Sequence, residues 1–189
     1  MTRARRWPLR CYYLRMPWSR IPSAIGAWAA GLLMLALAHA AAAGGEAPPP
    51  RVVWVALGGE TFSLELAADP EMRHRGLSGR GVIARNGGML FVLPRPERFA
   101  MVMRDCAEPL DVMFLDTRGR VVALHEMQPE PPRRPEESPF QYERRLRSYA
   151  SGDPVQFAVE TAGGRLRELG ITVGDRISLD TETLVRRAR

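Results

Sequence analysis

The densest run of chemically capable side chains in the chain is Met101-Val102-Met103-Arg104-Asp105-Cys106-Ala107-Glu108-Pro109-Leu110-Asp111. Arg104, Asp105, Glu108 and Asp111 around a strand end suit a polar binding cleft, with the guanidinium clamping a carboxylate or phosphate and the acids taking hydroxyls. The competing reading is structural: Asp111, set between Leu110 and Val112, ties the Pro109 turn to backbone donors or to Arg104. The same segment offers a metal set. Met101 and Met103 share one strand face, Cys106 is near, and His125 and Met127 share a face of another strand. Soft sulfur ligands with an imidazole suit Cu(I). Methionines that fill core gaps give the same spacing, and no tight ligand motif supports the ion, so the metal set stands as the alternative to the cleft.

Catalytic arrangements are weaker. A thiol nucleophile would combine Cys106, His125 and an aspartate such as Asp111, but Asp105 and Glu108 beside the thiol disfavour the thiolate and only Arg104 opposes them. Gly76-Leu77-Ser78-Gly79-Arg80 lacks the second glycine of a nucleophile elbow. Asp111 and Asp116 could pair for glycosidic chemistry, yet Asp116 precedes Thr117-Arg118-Gly119, which is ordinary turn chemistry. Gly76-x-x-Gly79-x-Gly81 precedes no good helix and reads as a turn rather than a phosphate loop. His74, between arginines, reads as a surface residue, and Arg144, Arg145 and Arg147 are balanced by Glu136, Glu137 and Glu143. No catalytic residue and no cofactor is assigned.

These groups sit in a chain of 189 residues, 46% hydrophobic, which is one domain's length with enough apolar material for a core. All 27 basic residues are arginine. Without lysine, Schiff-base chemistry, a phosphate-loop lysine and a kinase-type lysine are excluded. Arg3, Arg5, Arg6, Arg10, Arg15 and Arg20 lie in residues 1–43, which hold no acid, and the remaining arginines balance the 21 acids. The body therefore lacks the positive surplus that drives phosphate-backbone binding, and no nucleic-acid partner is expected.

The arginine-rich start, the apolar run Ala24–Ala38 and the small residues Ala40–Gly45 read as a signal peptide over 1–43, cut after Ala40 or Ala43. An uncleaved membrane anchor is the rival, because Ile25–Ala43 is nearly long enough to span a bilayer. The expected location is the periplasm or the exterior, with membrane contact only if the segment stays. Residues 44–50 form a proline-ended linker, 51–182 a single domain and 183–189 a basic tail. After cleavage Cys106 is the one thiol left, so no internal disulfide forms.

Strand patterns run over Val52–Leu57, Phe62–Leu66, Met89–Leu93, Met101–Arg104, Leu110–Leu115, Val121–Met127, Val155–Val159 and Ile177–Leu179. Gly58-Gly59 marks a hairpin, Asp69-Pro70-Glu71 and Ser138-Pro139 start short helices, and Leu166–Leu169 forms another before Gly170. Eight or so short strands with two or three short helices in the connections predict a mainly β fold, a sandwich or barrel.

From Arg73 onward a set of motifs follows in order. They are Arg73-His74-Arg75-Gly76-Leu77, Gly88-Met89-Leu90-Phe91-Val92, Met103-Arg104, Pro109 to Asp116, Tyr149-Ala150-Ser151, Val159-Glu160, Ala162-Gly163, Gly170-Ile171 and Gly174-Asp175. Over about residues 60–180 the chain resembles the domain of unknown function family 192 (DUF192). The resemblance implies a compact, jelly-roll-like β domain, often exported, with no established activity. Met101-Val102 stand where the family usually has aromatics, Asp105 and Cys106 where it has asparagine and threonine, and Glu108 replaces an apolar residue. The segment Gln128–Arg147 looks like an insertion. The expected function is a noncatalytic binding or accessory module for a small molecule or a cell-envelope protein. Extracytoplasmic Cu(I) handling, and after it a hydrolase, are the alternatives.

Overall fold

The computed structural model describes residues 51–189, so the signal or anchor segment 1–43 and the linker 44–50 lie outside the described residues. Gly58 and Gly59 both take positive φ (55° and 87°), the backbone that a tight two-residue hairpin demands. They join β1 (Val52–Leu57) to β2 (Glu60–Ala67) in antiparallel register, Leu57 opposite Glu60 and Val52 opposite Glu65. Asp69 then caps α1 (Pro70–Arg75), accepting the Met72 N–H at 2.8 Å, and Pro70 occupies a first-turn position where a missing N–H costs nothing. This helix and the glycine-rich turn after it provide the crossover that a parallel pair needs, and β3 (Gly87–Met101) returns parallel to β2.

The strand pattern at Met101 is the end of this 15-residue β3 rather than a strand of its own. Its register against its neighbour breaks between Val92 and Glu97, where Pro94 and Pro96 cannot donate to the ladder. β4 (Leu110–Leu115) and β5 (Val121–Met127) form a hairpin, α2 (Pro139–Arg145) follows with a Ser138–Gln141 capping box, and β6 (Tyr149–Ala162) inserts between β3 and β4. The fold is mainly β: one mixed sheet of six strands in the order β1-β2-β3-β6-β4-β5. Ile177–Leu179, expected as a strand, forms none; the residue before it, Arg176, makes an isolated bridge with Arg120.

Both faces of this sheet are covered. Phe62, Leu64, Leu90, Val92, Met113 and Phe157 make one core, closed by Leu166 of α3 (Arg165–Glu168) and Leu184 of α4 (Thr181–Arg187). Met89, Phe91, Leu110, Val112, Phe114 and Ala158 make the other, closed by Leu77, Met101 and Met103. Burying each large side chain fully contributes about 2 kcal/mol. Residues 183–189, read from sequence as a basic tail, instead belong mostly to α4, because Leu184, Val185 and Ala188 present one apolar face to the core. The Arg189 N–H donates to Ala68 O at 2.9 Å, and Arg73 holds Arg189 O at 2.7 Å. Among the described residues no helix is long and apolar enough to cross a membrane.

Candidate functional site

The loop joining β3 to β4 carries Arg104, Asp105, Cys106 and Glu108, and the insertion between β5 and β6 grips it. Arg104 donates to Glu143 Oε1 of α2 at 2.8 Å, contacts His74 Nε2 at 3.0 Å and donates to the His74 carbonyl at the end of α1. Its side chain is only 16% exposed, so the clamp anticipated for an anionic ligand is closed on the chain itself. Asp105 adopts φ 52°, outside the comfortable region for a residue with a side chain. The Tyr142 hydroxyl accepts its N–H and donates to its Oδ1, both at 3.1 Å, and so holds that conformation. Glu108 is exposed.

Asp111 leaves this group. Strand alternation turns it to the opposite face from Leu110 and Val112, where Oδ1 accepts the Gly164 N–H and Oδ2 the Leu166 N–H, both at 2.9 Å. It caps the start of α3. Burial raises its pKa and those two backbone donors pull it back. The bonds to backbone donors anticipated from sequence are present, but they run to α3 and not to the Pro109 turn or to Arg104.

Beneath the loop lies a residue that the strand pattern conceals. Glu160, near the C-terminal end of β6, is 5% exposed, opposite Met89 on β3 and Val112 on β4. Among the described residues its Oε2 is the buried side-chain polar atom without a hydrogen-bond partner. That oxygen faces the turn after α1, 3.7 Å from the place a Cβ on Gly76 would occupy. Burial pushes the Glu160 carboxyl up to about 8, which keeps it mostly uncharged at neutral pH. Cys106 feels it. Burial first, then the charges of Glu160 and Asp105, raise the thiol to about 11 against the opposing pull of Arg104. Asp105 thus acts as the sequence suggests, with Glu160 in the place expected of Glu108. A thiol so shifted is a poor nucleophile at neutral pH.

Between the two loops is a slot of about 10 Å3, lined by Leu77, Arg80, Gly81 and Ile83 on one side and Cys106, Ala107, Glu108 and Leu110 on the other. It has room for about one water-sized group. Arg80 is paired with Glu65 at 2.5 Å, and Val82 stands 87% exposed beside the slot.

The residues of the metal alternative are placed in packing roles. Met101, Met103 and Met127 are buried in one apolar cluster, with Cys106 against its edge and its Sγ 3.4 Å from Arg104 O. The His125 ring is edge-on to Phe114 and Tyr149, and its Nε2 is 2.8 Å from Ala150 O. With that nitrogen assigned as the donor, the backbone contact fixes the tautomer.

The family model DUF192, described as Uncharacterized ACR, matches residues 53–179. The chain belongs to the DUF192 family. No curated protein matches it. A crystal structure from Sinorhizobium meliloti 1021, described as that of a candidate transcription regulator, is similar at 29% identity and TM-score 0.52, over 68% of this chain and 92% of that one. A protein of unknown function from Novosphingobium aromaticivorans shares the fold at 23% identity and TM-score 0.59, over 70% of this chain and 89% of that one. The DUF192 match contains every residue of the slot and Glu160, whereas α4 lies beyond it.

Proposed function

We propose that the protein is an exported, noncatalytic binding module whose ligand site is the slot between the turn after α1 and the β3–β4 loop. One observation carries this reading: the unpartnered carboxyl of Glu160, more than nine-tenths buried and near enough to Cys106, in the slot's wall, to raise its thiol. A buried polar group without a partner costs about 1–3 kcal/mol, so its retention in an otherwise satisfied sheet favours a task for it. The slot admits one polar group rather than a whole molecule. The ligand is therefore a small molecule that inserts a hydroxyl or carbonyl oxygen toward Glu160 and rests its apolar part on Val82 and Ile83. An uncharged carboxylic acid donates one hydrogen bond to such an oxygen. The raised thiol at Cys106 counts against a thiol nucleophile there. The regulator description of the Sinorhizobium relative raises nucleic acid as a partner, but the balanced charge of the body disfavours it.

Native mass spectrometry of the chain from the exported fraction of its host tests this, with Glu160→Gln in parallel. The expected result is a noncovalent mass excess on the wild type that the variant lacks. Bare masses for both would mean that Glu160 holds no ligand, and the reading would fall. The same spectrum gives the N-terminus of the mature chain.

A further inference from the structure

A second site, separate from the slot, lies at the β4–β5 turn. There Thr117 and Arg118 face Arg176, Ser178 and Thr181 across a groove of about 410 Å3, with Ile177 and Leu179 also lining it. That volume accommodates a small molecule.

The two banks are stitched together. Asp116 Oδ1 accepts the Arg118 and Arg120 N–H groups at 2.7 and 2.9 Å, fixing the turn. Ile177 donates to Gly119 O at 2.8 Å, and Arg120 donates to Gly174 O at 2.6 Å. Gly119, at φ 77°, is required by this approach, because a Cβ there would lie 2.5 Å from Ile177 O. The backbone bearing Arg118 and Arg176 is therefore held at a set spacing while the guanidinium groups stay exposed.

Their charge is hardly compensated. Arg118 reaches Asp116 only at 3.9 Å with its side chain 77% exposed, and the Arg176 side chain has no ion pair or hydrogen bond among the described residues. The nearby carboxylates are committed elsewhere: Asp116 to its turn, Asp175 to Thr172, and Asp180 to the Thr183 N–H that starts α4. The groove combines two guanidinium groups, three hydroxyls and an apolar strip, with no carboxylate in its walls.

We propose that this groove binds the phosphate or carboxylate group of a small organic anion, with Arg118 and Arg176 on the anionic end and the apolar part against Ile177 and Leu179. Guanidinium groups bind both oxyanions through paired N–H donors, and three hydroxyl donors add to them. This site does not depend on the Glu160 reading.

The test is a titration of the isotopically labelled full chain with inorganic phosphate and separately with acetate, following the amides of Thr117, Arg118, Arg176 and Ser178. Saturable shifts confined to these amides are expected, and Arg176→Gln weakens them about tenfold. Arg134→Gln, the same charge change on the insertion, leaves them unaltered. Tighter phosphate binding assigns a phosphoryl ligand and tighter acetate binding a carboxylate; either supports the site. Shifts that never saturate, or that fall equally in both variants, would reduce the groove to general charge screening and overturn the proposal.

Discussion

Gly76 and Glu160 face each other across the covered side of the sheet: a Cβ on Gly76 would stand 3.7 Å from Glu160 Oε2 and 3.5 Å from the Phe91 ring. At φ 53° Gly76 holds a turn that a side chain would strain. The carboxyl therefore meets a bare turn, and neither partner nor solvent satisfies that oxygen.

This geometry sets the pH dependence of stability. The unfolded Glu160 ionises near 4.5 and the folded one at about 8. Between those values the native state holds a proton that the unfolded state has lost, so stability falls as pH rises, by at most about 1.4 kcal/mol per pH unit. It is fully present below pH 4.5 and levels off above 8. Glu160→Gln, which cannot ionise, removes this slope. Urea unfolding across that range should show wild type and variant close in acid and the variant gaining toward pH 8. Parallel curves would mean that the carboxyl is solvated.

Cys106 gives an independent reading of the same pocket. With the thiol pushed up to about 11, its alkylation by iodoacetamide should keep rising past about pH 10, where an ordinary thiol levels off. Glu160→Gln removes one charge that opposes the thiolate and should bring the plateau to lower pH. A plateau at about pH 10 in the wild type would show that the loop leaves the sulfur open to water.

The elements were legible where local chemistry decides them. Gly58-Gly59 is a turn wherever it occurs between strands, and Asp69-Pro70 starts a helix by capping and by φ alone. Glu160 was not legible as a site residue. Val155, Phe157 and Val159 alternate as if the other face of the strand were wet. The sheet order makes β6 an interior strand, and its alternate face is covered by loops distant in sequence. Arg104 misled in the opposite sense, since its partners Glu143 and His74 lie 39 and 30 residues away and no spacing rule connects them. The tail failed for a related reason: Leu184 reads as terminal until α4 is seen to close a core.

Asp111 is expected to behave as a fold residue. It holds two backbone N–H groups of α3 in a buried place, and Asp111→Ala would leave both unsatisfied, at a cost of about 2–4 kcal/mol. Asp111→Asn keeps an acceptor and should lose about half as much. Thermal unfolding orders the three proteins. An alanine variant that unfolds like the wild type and loses a bound mass would return Asp111 to the ligand cleft.

Gly88 links the fold to the site most directly. It sits at φ 152° in β3, and a Cβ there would collide with the backbone carbonyl of Glu160. The obstacle is main chain, next to the Gly88–Thr161 pair at one end of the β3–β6 ladder, so it cannot swing away as a side chain could. Gly88→Ala should cost about 3 kcal/mol or more, with the strand displaced at Glu160. Gly79→Ala is the contrast: its φ is also positive, at 69°, but a Cβ would meet nothing within 4 Å, so the cost should be about 1 kcal/mol from backbone strain alone. Denaturant unfolding gives the two costs, and Cys106 alkylation reports the neighbourhood of Glu160. The expected pattern is a destabilised Gly88→Ala with faster alkylation and a near-native Gly79→Ala. Equal costs for the two would mean that the strands part easily at Glu160, and that the pocket is less rigidly built than its carboxyl requires.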